Sequence, residues 1–279
     1  MSTRTEKLNE LEQKLQQGVA EFFTSDRYAQ LLLIMSKFHS YSFNNCLLIA
    51  MQCPHASYVT GYSNWKTSFN RIVRKGEKAI RIIAPCPYKS KDKDTGEEKE
   101  QLYFRTASVF DVSQTMQIPE TEEIPLGLAE LTGTVPDYDK LLEAIIAVSP
   151  VPVFFEDIPG EAKGYFSETE GKIVIKQGMS QAATLKTACH ELAHACLHNS
   201  QALGDEKRSR ETKEIEAEST AFMLCNLFGV DSSDYTFEYV AGWQGKDDMK
   251  ALTSSMNLIK TTANDLFDAI QQKLAVQAA

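Results

Sequence analysis

The pattern of apolar and polar positions divides the chain into helical and strand-like stretches. Leu8, Leu11, Leu15, Val19 and Phe22 recur at helical spacing between residues 5 and 24, and Ser25-Asp26 offers a break and a new cap. Further helices are expected at roughly 26–38 and 43–52, the second ending at Cys53-Pro54. The texture then changes. Ala79 to Ala84 and Leu102 to Val112 read as strands around a polar, charged loop at 89–100, which predicts a long-looped hairpin. Residues 116–136 contain Pro119, Pro125 and Pro136 with an acidic cluster, the composition of a linker. Beyond it the pattern predicts a helix at 137–147, strands near 151–155 and 172–176, and helices near 181–198, 207–228 and 247–275. The expected fold class is α+β in two domains: residues 1–116, helical with a β-hairpin; a linker at 117–136; and residues 137–279.

Composition agrees with two domains, since 279 residues with 43% hydrophobic content can fill two ordinary cores. No run of about 18 uncharged apolar residues exists, and the first residues lead into charged helix, so neither a membrane span nor a signal peptide is expected. The six cysteines (Cys46, Cys53, Cys86, Cys189, Cys196 and Cys225) form no C-x-x-C pair, which suits reduced thiols and a cytoplasmic location.

A net charge of −9 argues against indiscriminate binding to nucleic acid. That average conceals a segment, Lys66 to Lys93, with nine basic residues against two acidic ones. Aromatics interleave and flank it: Tyr58, Tyr62, Trp65, Phe69, Tyr88, Tyr103 and Phe104. Binding a flexible single strand without reading its sequence needs cations for phosphates and flat rings for bases. Candidate contacts are Tyr62, Trp65, Lys66, Arg71, Arg74, Lys75, Lys78 and Arg81, with Trp65 the leading stacking residue. The competing reading is a basic helix face beside core aromatics, in which Trp65 anchors the core instead.

The second domain carries the strongest chemical signal, His190-Glu191-Leu192-Ala193-His194. An H-E-x-x-H on a helix aims two imidazoles at one cation and sets the glutamate beside an attacking water. Leu185, Cys189, Leu192 and Cys196 form the apolar stripe of this helix, and both histidines project well away from it, as on a cleft wall. His198 lies too far along an unbroken helix, about 12 Å from His190, to share the metal. A third ligand is therefore expected from the next helix, where Glu214 and Glu218 share a face and Glu216 points away. We assign Glu214 as ligand and Glu218 as the carboxylate that orients a histidine through its other ring nitrogen; the reverse assignment stays open. Glu191 is the expected catalytic base, Zn²⁺ the expected metal, and Tyr165, Tyr235 and Tyr239 are candidates for stabilising an oxyanion.

His190 to His194 followed by Glu214-Ile215-Glu216-Ala217-Glu218 resembles the ImmA/IrrE-like zincins, whose E-x-x-A helix supplies the third ligand from its first glutamate, here Glu214. The order Tyr165-Phe166-Ser167, Lys172 to Lys176, H-E-L-A-H, Ala217-Glu218 and Tyr239 to Trp243 resembles the metallopeptidase domain of ArdC-type antirestriction and LtrC-like proteins. The stretches Asn44 to Gln52, Gly61 to Trp65, Val73 to Lys78, Ile83-Ala84-Pro85 and Val109 to Thr115 are similar to that family's single-stranded-DNA-binding domain. One departure is Ala195-Cys196 after the second histidine, where family members often carry tryptophan or another bulky residue. The resemblance implies a zincin-like metallopeptidase domain behind a single-stranded-DNA-binding domain, in an antirestriction protein of a mobile element or phage. A regulatory zinc protease cutting a repressor or host protein, and a binding-only protein with a non-catalytic zinc, are the alternatives.

Overall fold

The computed structural model describes residues 4–91, 98–126, 138–199, 208–232, 235, 237, 240 and 249–277. They form two compact units, one drawn from Met1–Phe22 and Asn44–Leu128, the other from Phe23–Phe43 and Ala129–Ala279. Mixed helix and sheet make up both, in keeping with the α+β expectation.

In the first unit, helix α1 (Arg4–Phe22) buries Leu11, Leu15, Val19 and Phe22, the stripe its spacing predicts. The segment Ser25–Lys37 forms α2, which belongs to the second unit, and Phe43–Gln52 forms α3. Strand β1 (Val59–Gly61), helix α4 (Tyr62–Phe69) and strand β2 (Arg71–Val73) lead into the long hairpin of β3 (Ile80–Lys91) and β4 (Glu98–Asp111). The sheet order is β1-β4-β3, and β2 pairs separately with β5 (Thr115–Gln117). Three-residue strands are too short for a period-two signal, so the pattern reveals only the hairpin.

The outer edge of β3 needs partners for its backbone. Asn45 supplies one, its side-chain amide accepting from Ile83 N at 2.9 Å and donating to Ile83 O at 2.8 Å. Gln52, two turns on, does the same for Arg81 N and O, both at 2.9 Å. Positions 85 and 87 share that outward register, and both are proline, so no ladder bond is lost there. The two family-like strings also interlock. The buried Asp111 carboxylate accepts from Ser57 N, Tyr58 N and Ser113 N, while Gln114 donates to Glu77 and to Lys78 O across the turn at Gly76.

Trp65 is corrected here. Its side chain is 0% exposed, edge-on to Tyr58 and tilted against Phe69, and its indole N–H donates to Phe110 O at 3.0 Å. An indole with one apolar body and one satisfied donor is a core residue, and no base can stack on it.

In the second unit, α2 packs its Leu31, Leu32 and Met35 among helices, and Tyr28 Oη lies 2.8 Å from Ser219 Oγ, both buried. Apolar periodicity reveals that α2 is buried, not against what. Of the expected linker, residues 127–136 lie outside the described residues. Helix α5 (Tyr138–Ala147) precedes a sheet of β6 (Val153–Glu156), β7 (Gly164–Ser167) and β8 (Lys172–Lys176) in the order β6-β8-β7. The β6–β8 pair is parallel and β7–β8 antiparallel. Helices α6 (Gln181–Leu197), α7 (Arg210–Leu227) and α8 (Met249–Gln277) complete the unit. Ile173 and Ile175 of β8, Leu185, Ala188, Cys189 and Leu192 of α6, and Ala221, Leu224 and Cys225 of α7 fill the core.

Strand β7 runs close to α6 because residue 164 is glycine. A Cβ there would lie 2.6 Å from Thr187 Cγ2, 2.9 Å from Val174 O and 3.3 Å from Glu191 Cγ. Among the described residues no helix is long and apolar enough to cross a membrane.

Candidate functional site

Helix α6 starts where Ser180 Oγ accepts from Ala183 N, and α7 where Ser209 Oγ accepts from Thr212 N. With its apolar stripe buried, α6 turns His190 and His194 toward Glu214 on α7. His190 Nε2 and His194 Nε2 are 3.0 Å apart, and Glu214 Oε2 lies 3.6 and 3.5 Å from them. Ligand atoms in a tetrahedral site with bonds of about 2.0–2.1 Å are separated by roughly 3.3 Å, so the three atoms fit one such cation and leave a corner open. Among the described residues this is the one group of histidine, cysteine and carboxylate side chains that could hold a metal ion.

The neighbouring groups meet the remaining ring nitrogens. Glu218 Oε2 lies 2.9 Å from His190 Nδ1. His194 Nδ1 lies 2.9 Å from Nδ1 of His198, whose backbone N–H closes α6 on His194 O. His198 Nε2 is 3.0 Å from Glu216 Oε2, and Arg208 pairs with the other oxygen of Glu216.

Electrostatics favours a cation here. Burial alone lowers the His190 imidazole, but hydrogen bonds to Glu214 and Glu218 and the charge of Glu191 raise it to about 10. Hydrogen bonds from His190 and His194 hold Glu214 far below the usual carboxylate range. Glu191 behaves oppositely: burial, with some help from Glu214, pushes it up to about 7 although His190 and the Phe166 N–H pull it down. Carboxylates thus outnumber cations around the two imidazoles.

Two clefts flank the histidines. One, of about 650 Å³, is lined by Lys163, Lys186, Glu191 and Tyr235; the other, of about 630 Å³, by Tyr165, Phe166, Arg210 and Lys213. Tyr165 is half-exposed in the second cleft. The Tyr235 hydroxyl is held near Cys225 Sγ at 3.7 Å, and burial raises its pKa. Tyr239 lies outside the described residues.

The cationic candidates of the first unit divide into two sets. Lys66, Lys75 and Lys78 are exposed, as is Tyr62. Arg71 donates to Thr115 Oγ1 and Arg74 to Glu77, Ser113 O and Thr115 O, so both hold the β2–β5 region together. Arg81 is exposed and bonded to Ser108. Register sets Lys89 opposite Glu100 and Lys91 opposite Glu98. What the candidate set omits is the hairpin's exposed rings. Tyr88 is 42% exposed, Tyr103 37% and Phe104 53%, with Tyr88 and Tyr103 5.6 Å apart on one face beside Arg105. Strand alternation puts Tyr103 and Arg105 on one face and Leu102 and Phe104 on the other.

Residues 3–110 match the N-terminal domain of the anti-restriction factor ArdC, and residues 147–228 match the IrrE N-terminal-like domain, a peptidase family. An uncharacterized protein of Bacillus anthracis is 26% identical over 311 residues, covering 97% of this chain. The chain spans about half the length of that relative, 52%. The antirestriction ArdC protein of plasmid R388 has a similar fold in two crystal structures, metal-free with a TM-score of 0.58 and Mn(II)-bound with 0.54. Each is 22% identical and covers 84% of this chain and 85% of that one. The chain thus carries, in this order, a domain similar to the N-terminal domain of ArdC and a domain similar to the IrrE N-terminal-like peptidase family, on a fold like that of ArdC.

Proposed function

We propose that this protein binds single-stranded DNA through its first unit and hydrolyses a polypeptide at a zinc ion in its second, protecting the incoming DNA of a mobile element or phage. The observation that carries the enzymatic half is the convergence of His190, His194 and Glu214, with Glu191 beside them in the same cleft. His190, His194 and Glu214 would hold the ion, which would lower the pKa of an attacking water and polarise a scissile carbonyl. Glu191 takes the proton from that water as its oxygen bonds to the carbonyl carbon. It then passes the proton to the amine nitrogen as the C–N bond breaks. The clefts on either side of the histidines, along β7, give an extended chain a place to lie.

For DNA, the exposed rings of Tyr62, Tyr88, Tyr103 and Phe104 with Lys66, Lys75, Lys78, Arg81 and Arg105 supply stacking surfaces and cations. Six free cysteines suit a reducing cytoplasm.

Glu191→Gln separates this reading from its rivals. It keeps metal and fold and lowers hydrolysis by about 10²- to 10⁴-fold. DNA protection that survives the substitution would sink the proteolytic account and leave a binding-only protein. Cleavage of a repressor with no effect on protection points to a regulatory protease. Single-strand affinity should fall steeply with salt and exceed duplex affinity; equal affinities overturn the DNA half.

A further inference from the structure

The metal site proposed above leaves three buried polar residues without a role: His198 at the end of α6, 5% exposed, Glu216 on α7, 0% exposed, and Arg208 just before α7. His198 is too far along α6 to share a metal with His190, and Glu216 faces away from Glu214 and Glu218. Yet the three are joined into one line ending on a candidate ligand. Arg208 donates to Glu216 Oε1, Glu216 Oε2 lies 3.0 Å from His198 Nε2, and His198 Nδ1 lies 2.9 Å from His194 Nδ1.

We propose that His198, Glu216 and Arg208 form a one-way hydrogen-bond chain that fixes which nitrogen of His194 carries the proton, keeping its Nε2 lone pair free for the metal.

The direction follows from what each group can do. The Glu216 carboxylate is paired with Arg208 through Oε1, so through Oε2 it can only accept. His198 Nε2 must then carry a proton and donate it to Glu216. A neutral imidazole with its proton on Nε2 has a lone pair on Nδ1. That lone pair faces His194 Nδ1, so His194 must be the donor there. The proton on Nδ1 leaves His194 Nε2 unprotonated, the atom 3.0 Å from His190 Nε2 and 3.5 Å from Glu214 Oε2. On His190 the corresponding nitrogen, Nδ1, meets a carboxylate directly, since Glu218 Oε2 lies 2.9 Å away and can only accept. The two imidazoles are thus set by two carboxylates of α7, one acting directly and one through an intervening histidine. Arg208 pairs with Glu216 and holds it turned toward His198. These three are positioning residues, and they touch no reacting atom.

The chain makes an unusual demand of Glu216→Gln. A glutamine whose carbonyl accepts from Arg208 turns its NH₂ toward His198, where it donates instead of accepting. His198 then carries its proton on Nδ1 and donates to His194, which is left protonated on Nε2. A nearly isosteric change thereby reverses the line and blocks a ligand. His198→Gln does the opposite, since its amide can accept from His194 and donate to Glu216, keeping the direction.

The inference rests on the proposed metal centre, so the test begins without metal. In ¹⁵N-histidine NMR of the full-length metal-free protein at about pH 8, His194 should carry its proton on Nδ1. Glu216→Gln should move it to Nε2, and His198→Gln should leave it in place. Zn²⁺ affinity, measured by chelator competition, should fall about 10- to 100-fold in Glu216→Gln and His198→Leu and stay within a few-fold of wild type in His198→Gln. A wild-type His194 protonated on Nε2, or a Glu216→Gln protein with unchanged tautomer, overturns the proposal. So does unchanged Zn²⁺ affinity in Glu216→Gln. If the wild type binds no Zn²⁺ while the tautomers behave as described, the metal reading fails and the chain stands. Thermal unfolding of each variant separates loss of fold from loss of the ligand tautomer.

Discussion

Glu218 Oε2 lies 2.9 Å from His190 Nδ1, on the opposite side of that ring from the nitrogen that faces Glu214. Two glutamates one helical turn apart on α7 therefore grip one imidazole from its two ends. The consequence for metal binding is unequal. Glu214→Ala removes one of three ligand atoms and should abolish retention of Zn²⁺ through gel filtration. Glu218→Ala should leave one ion per chain but weaken it about 10- to 100-fold. Elemental analysis of both variants checks this; full metal in Glu214→Ala would exchange the two roles.

Nucleic-acid affinity should depend on the hairpin's rings and not on the indole. Tyr103→Ala and Phe104→Ala should each weaken single-strand binding by about 5- to 150-fold, the range for losing one stacked base. Trp65→Phe removes the bond to Phe110 O and part of the buried ring. It should cost roughly 1–3 kcal/mol of stability while the folded protein keeps its affinity. Fluorescence anisotropy with a labelled oligonucleotide, beside urea melts, distinguishes the two patterns. Affinity lost in Trp65→Phe at unchanged stability would contradict the core assignment.

Asn45 stands in for a missing strand, so its loss should be felt at the sheet edge. Asn45→Leu leaves both the N–H and the C=O of Ile83 without their partner and should destabilise the first unit by about 1–3 kcal/mol. Gln52→Leu, at a more exposed place, should cost less because water replaces the lost bonds. Amide exchange reports this directly: protection at Ile83 should collapse in the first variant, and retained protection would show that the edge has another partner.

Tyr28 gives a pH dependence with a definite sign. Burial raises its phenol well above the usual value near 10, outweighing the hydrogen bond with Ser219. Below about pH 10 both folded and unfolded chains keep the proton, and the native state loses nothing. Above it the unfolded chain ionises first, so stability falls as pH rises. Tyr28→Phe cannot ionise, but it leaves the buried Ser219 hydroxyl without that partner, at a cost of about 1–3 kcal/mol near neutrality. Urea melts should therefore rank the variant below wild type at pH 7.5 and close or reverse the gap by pH 11. A gap that stays constant with pH would mean that Tyr28 is not the responsible group.

Residues whose partners lie on the same element were the easiest to read from sequence. His190 and His194 share a helix face through the 3.6-residue period, and the same arithmetic separates His198 from their metal. Glu214 and Glu218 share a face by the same rule, while their distinct partners depend on how α6 and α7 pack. His198 meets Glu216 across that packing, and no spacing along the chain announces it. Periodicity marks Leu31, Leu32 and Met35 as buried without naming the unit that buries them. Trp65 shows a different limit, since a large ring beside cations satisfies a stacking surface and a core equally well. The four-residue β7 carries too little pattern to be seen, although it forms one wall of both clefts.

That wall has a dimension set by what position 164 lacks. Where β7 crosses α6, the strand rests on the helix with only a hydrogen atom as spacer, over the side chains of Thr187 and Glu191. The reach of the Glu191 carboxylate toward anything lying in the clefts is thus gauged at a residue that has no chemistry of its own. Adding a single methyl group there would lift the strand or tilt the carboxylate, detuning the centre while every polar atom in it stayed unchanged.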